Sequence, residues 1–151
     1  MGSAIDAWIE YDDDALYHPE RAAEPPFSRP DENCIPLDCF VRFRRAKDYR
    51  FFAAISGVRS QEDDPEPLFP MRGGLPPNVS SHTKRQVSEI IGEDNPRLSW
   101  LSYAEIEQAL AHMGVQREKL DLTTNLVLDL MQSIENRLGE GRSRLIFYID
   151  S

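Results

Sequence analysis

Residues 144–149 read Arg-Leu-Ile-Phe-Tyr-Ile, and residues 4–11 read Ala-Ile-Asp-Ala-Trp-Ile-Glu-Tyr. The first run is short, almost continuously apolar and rich in β-branched and aromatic side chains, the composition of a central strand. The second alternates Ile5, Ala7 and Ile9 with Asp6, Trp8 and Glu10. That period near two predicts a strand with one buried face. Both runs are apolar and otherwise unpartnered, so they are expected to pair with each other across the length of the chain. The fold class that follows is α+β: a small, mostly antiparallel sheet including the N- and C-terminal strands, packed with about four helices.

Between these strands the signals are mixed. Residues 18–36 carry five prolines and read as a surface loop. Leu37–Arg44 alternates Cys39, Val41 and Phe43 with Asp38, Phe40 and Arg42 and predicts a second strand. Lys47–Ser56 places Tyr49, Phe52 and Ile55 at helical spacing, with Asp48 to cap it and Gly57 to end it. No regular element is expected over 60–78, which holds five prolines and two glycines. Ser80 or Ser81 caps a helix to about Ile91. Ser102-Tyr103-Ala104-Glu105 is a capping box, the strongest local signal in the chain. It opens a helix to Met113 with Ile106, Leu110 and Met113 facing inward, and Trp100 sits near the staple position before it. A further helix spans Leu122–Leu138, with an inward stripe of Leu126, Val127, Leu130, Ile134 and Leu138.

The chain has 151 residues, 40% of them hydrophobic, and a formal net charge of −9. That length suits a single domain, 1–151, with enough core to fold unaided. An acidic balance disfavours contact with phosphate backbones and favours solubility or a basic partner. Direct nucleic-acid binding is therefore not expected, although Arg42, Arg44, Arg45, Lys47 and Arg50 interleave with aromatics. Cys34 and Cys39 stand alone, with His18, His82 and His112 far off in sequence. They do not make a zinc set, and no metal or other cofactor is expected. There is no apolar stretch of about 18 residues and no signal-peptide pattern at the start, so the expected setting is the cytoplasm.

Three constellations are candidates for function. Asp12, Asp13 and Asp14, and Glu62, Asp63 and Asp64, are acidic clusters. They read as solvated charge, as a divalent-metal site lacking EF-hand spacing, or as a surface for a basic partner. Met71-Arg72-Gly73-Gly74-Leu75-Pro76-Pro77 is the most unusual run. Its glycines allow close backbone approach to a ligand, and Arg72 could clamp a carboxylate or phosphate. The favoured alternative is a tight turn whose arginine pairs with a nearby acid. A pocket lined by Arg59, Arg72, Gly73, Gly74 and Trp100 would suit a nucleotide or signalling metabolite. No catalytic residue is assigned.

Three segments taken together resemble a group of small uncharacterised proteins of tailed bacteriophages and prophages. They are Asp48–Arg59 (DYRFFAAISGVR), Pro70–Ser80 (PMRGGLPPNVS) and Leu98–Glu105 (LSWLSYAE). The family patterns are a "nYdlFa.LagVR" helix, a "pRGLP.dvS" loop and an "SWLt..El" helix start, often with a final strand like Leu145–Asp150. The likeness covers about a third of the chain in pieces and brings no established activity. The family begins with a Cys-Asp-Ile-His type strand where this chain has Ser3-Ala4-Ile5-Asp6. It also carries His-Ser before Ser-Trp where this chain has Pro96-Arg97. Taken with the acidic balance and the lack of a visible catalytic constellation, the resemblance leads to the expectation of a phage- or prophage-encoded acidic interaction protein. Such a protein would bind and inhibit a host protein with a basic surface, such as a nucleic-acid-handling immune complex, in the manner of an anti-CRISPR or other counter-defence factor.

Overall fold

The computed structural model of the chain describes residues 4–29, 34–36, 41–43 and 49–150. Its elements run β1 (Ala4–Asp12), α1 (Asp14–Tyr17), a 3-10 turn (Pro19–Arg21), β2 (Cys34–Pro36), β3 (Val41–Phe43), α2 (Tyr49–Ser56), α3 (Ser81–Ile90), β4 (Leu98–Ser102), α4 (Tyr103–His112), a 3-10 turn (Arg117–Lys119), α5 (Leu122–Leu138) and β5 (Ser143–Asp150). The class is α+β, as expected.

The sheet is antiparallel, with strand order β2-β1-β5-β4 and β3 also on β1. The two end strands pair along their full length, from Ala4 opposite Asp150 to Tyr11 opposite Ser143. On the outer side of β1, Glu10 faces Pro36 and Ala7 faces Val41. β2 and β3 therefore both pair with β1 on the side away from β5, β2 near its end and β3 near its start. The strand expected over 37–44 is observed at Val41–Phe43, and residues 37–40 lie outside the described residues. Asp48, Cys39 and the side chains of Cys34, Arg42, Arg44, Arg45 and Lys47 also lie outside them.

Both faces of the sheet are covered. Ile5, Ala7, Ile9, Leu145 and Phe147 pack against Phe52 and Ile55 of α2, Ile106 and Leu110 of α4, and Leu128 and Met131 of α5. Trp8, Leu98 and Ile146 on the other face meet Val87 of α3, with Leu75 and Val79 of the proline-rich loop packed beside them. This corrects the expectation of a half-solvated β1. Asp6, Trp8, Glu10 and Asp12 are all buried, because α3 and its leading loop form a second layer. Trp8 Nε1 donates to Gln86 Oε1 of α3 at 2.9 Å, satisfying the buried indole.

Two further readings change. Residues 98–102 form β4, an element the sequence reading omitted. Ser102 still caps α4, and its side chain and that of Glu105 complete the capping box. The staple position before that cap belongs to Leu101, which packs in the same cluster as Ile106. Trp100 instead faces the opposite layer. On α5 the inward face is Thr124, Val127, Leu128 and Met131, and Leu126 and Leu130 point outward.

The outer edge of β4 is closed by the unusual glycine run. Gly74 N donates to Leu98 O at 2.9 Å, and Arg72 Nη1 donates to Trp100 O at 2.9 Å. Those carbonyls would otherwise be an open pairing edge. Gly73, at φ +69, gives the turn a backbone that other residues resist.

Candidate functional site

The alternation of β1 places Glu10 and Asp12 on one face at one end of the sheet, and the register sets Arg144 directly across from Glu10. Arg144 Nε and Nη2 donate to Glu10 Oε1 at 3.0 and 2.8 Å, and Arg142 Nη1 donates to Asp12 Oδ2 at 2.6 Å. Two loops are tied to this network. Ser80 N donates to Glu10 Oε2 and Phe27 N to Asp12 Oδ2. Arg144 also donates to Pro77 O and Asn78 O and stacks on the Phe27 ring, 3.8 Å from its centroid. Phe27 and Asn78 both hold positive φ, +59 and +55. A bulky residue keeps that conformation only where its surroundings over-determine it.

The two acidic clusters therefore do not present six free carboxylates. Asp12 is taken by Arg142, Phe27 N and Asp14 N. Asp14 is buried beside Arg21, with Arg29 3.9 Å away. Asp13 is buried with no cation paired to it among the described residues. Of the second cluster, Glu62 and Asp63 are exposed. Asp64 receives both Arg50 Nη groups, at 2.7 and 3.0 Å, and Gln61 N at 2.6 Å. Arg50 beside it holds the Asp64 carboxyl below its ordinary range. The reading of Asp12, Asp14 and Asp64 as partner-facing charge is thus corrected: they fasten loops to the body of the molecule. No group of three or more His, Cys, Asp or Glu among the described residues is placed to hold a metal ion.

Arg72 and Trp100 do converge, but on each other. The guanidinium lies 4.0 Å from the Trp100 ring centroid and makes a bidentate pair with Glu105. Burial alone would raise the Glu105 carboxyl. The bonds from Arg72 and from Ser102 outweigh it and leave Glu105 below its usual range. Arg59 stacks 4.5 Å over Tyr49 of α2. It does not line the shallow hollow beside Trp100, nor do Gly73 and Gly74. That hollow is formed by Pro26, Phe27, Pro77, Trp100, Ser102, Gly141 and Arg144. The five proposed pocket residues are therefore not assembled around one cavity, and the Arg72 pairing with an acid is the reading that holds.

One helix also turns an apolar row outward. Leu122, Leu126 and Leu130 are 70%, 57% and 39% exposed. They recur every four residues along α5, about 6 Å apart along the axis. The next steps of the same row, Ile134 and Leu138, descend into a groove shared with Tyr11, Asp13, Leu16 and Arg137. Leu16, which lines it, is exposed, as is its neighbour Tyr17. This row was visible in the sequence as an excess: α5 carries apolar residues around more of its circumference than one core face uses. Compared with protein-family models, with characterised proteins and with solved structures, the chain matches none.

Proposed function

We propose that this protein acts by binding another protein, with the leucine row of α5 as the apolar contact and exposed acids such as Glu62 and Asp63 as a negative surround. The observation that carries the reading is the row itself. Single exposed leucines are ordinary on a folded surface, whereas a contiguous row of them marks an interaction face. The net charge of −9 favours a partner with a basic surface and speeds their encounter. Together with the resemblance to phage and prophage proteins, this supports an inhibitor of a host nucleic-acid-handling protein, acting in the host cytoplasm. The alternative of a nucleotide pocket loses its clamp, since Arg72 is committed to Glu105.

The test is affinity capture from host lysate at two salt concentrations, with wild type, Leu126→Glu/Leu130→Glu and Glu62→Gln/Asp63→Asn. The leucine variant should lose the partner while keeping stability within about 0.5 kcal/mol per substitution, as exposed positions do. The acid variant should bind more weakly with a flatter salt dependence. Capture unchanged by the leucine variant, or indifferent to salt, would refute the reading.

A further inference from the structure

The groove between α1 and the C-terminal half of α5 is open to solvent, has a volume of about 420 Å³ and is lined by Tyr11, Asp13, Leu16, Ile134, Arg137 and Leu138. Asp13 is the exception among the buried aspartates of this region. Asp12 and Asp14 each have an arginine. Asp13 is only 8% exposed, has no ion pair among the described residues, and makes no side-chain cap bond to α1. The hydrogen bond its carboxylate receives is from its own backbone. Neither carboxylate oxygen is both buried and unbonded, so the charge is carried by its own amide and the water of the groove, and two more carboxylates adjoin it. Burial pushes the Asp13 carboxyl up, its own amide pulls it down, and Asp12 and Asp14 add to the rise. Tyr11, lining the same groove, is raised by burial and by Asp13. Arg137 stands on the groove wall but makes no ion pair with Asp13, so the anion is left for something from outside.

We infer that this groove receives a cationic side chain, a lysine or arginine of the partner protein, with Asp13 as its counter-ion and Leu16, Ile134 and Leu138 around its aliphatic stem. Long basic side chains carry that combination of apolar stem and charged head. The site continues the exposed α5 row, since Leu130 lies one turn from Ile134. The identity of the donor as a partner protein rests on the function proposed above. The cation site itself stands on Asp13 and can be tested without any partner.

The probe is n-hexylguanidinium, with neutral n-hexylurea as control, titrated into the full chain and followed by amide NMR shifts. Hexylguanidinium should move the amides of Asp13–Tyr17 and Ile134–Leu138, binding about tenfold or more tightly than hexylurea, the factor that 1.4 kcal/mol of charge pairing supplies. Asp13→Asn should abolish that preference. Leu16→Ala, at an exposed position that the fold does not need, should weaken both probes. The titratable and charged groups around Asp13 are Tyr11 from β1, Asp12 and Asp14 beside it in sequence, and Arg137 from α5. Binding requires ionised Asp13. It should therefore fail as pH falls through the Asp13 titration, which lies above the ordinary aspartate range. Equal binding of the two probes, shifts confined to other surfaces, or an Asp13→Asn variant that binds as wild type would overturn the proposal. So would a further rise of the Asp13 titration in Arg137→Ala without any probe, because the cation would then be internal. The same amides moving with protein concentration alone would assign the groove to a second copy and likewise overturn it. A negative probe result beside leucine-dependent capture removes only the cation site, whereas a positive probe with capture unaffected by the leucine variant removes only the proposed function.

Discussion

Glu10 is a fully buried anion on a central strand, and it is tolerable only because Arg144 faces it in register and Ser80 N fills its second oxygen. Nothing near Glu10 in sequence announces this. Its partner is 134 positions away, so an alternating strand with a charged face looked half-solvated. The same holds for Asp12 and Arg142, 130 positions apart. Residue types were legible in the sequence; which carboxylates are neutralised was not, because pairing is a property of the assembled sheet. Arg144→Met should cost about 3–5 kcal/mol, since it leaves an uncompensated buried charge, and Glu10→Gln should cost a comparable amount. The double variant should be less destabilised than the sum by about 0.5–3 kcal/mol, read from denaturant unfolding. Additive losses would mean that the two residues stabilise separate loops and do not act as a pair.

Helices with local codes were read correctly. Ser102 and Glu105 cap α4, Ser80 caps α3 through Thr83 N, and Gly139 ends α5 at φ +112, all through contacts within a few residues. β4 has no such code. Five residues of Leu-Ser-Trp-Leu-Ser become a strand because β5 offers an edge on one side and the Arg72–Gly74 loop closes the other. α5 was placed to the residue, yet its face was misjudged. Periodicity alone fits two overlapping rows, and only packing chooses Met131 and Leu128 over Leu130 and Leu126. Met131→Ala should therefore cost about 2–5 kcal/mol, and Leu130→Ala should stay within about 0.5 kcal/mol. Thermal or urea unfolding distinguishes them, and the reverse order would place the core on the wrong side of the helix.

At the scale of the whole molecule, the central pair of strands joins the two ends of the chain, with Ile5 opposite Ile149. This was legible because each strand lacked any nearer partner. It also sets the route to the fold. The sheet cannot close until residues from both ends meet, and the entropy of that closure precedes the reward of burying Ile9, Leu145 and Phe147. Ala4 and Asp150 are register partners, so fusing Ser151 to Met1 leaves a short connection, Ser151 followed by Met1–Ser3, between antiparallel strands. That is within the usual range for a hairpin. New ends between Glu93 and Asp94 fall in the turn from α3 to β4, where Asp94 is exposed. The permuted chain turns its most distant pairing into its most local one and should fold faster in stopped-flow refolding, with its unfolding rate little changed. Unchanged folding would mean that β1 and β5 meet only after the rate-limiting step. The nucleus would then lie among α2, α4 and the side chains they share.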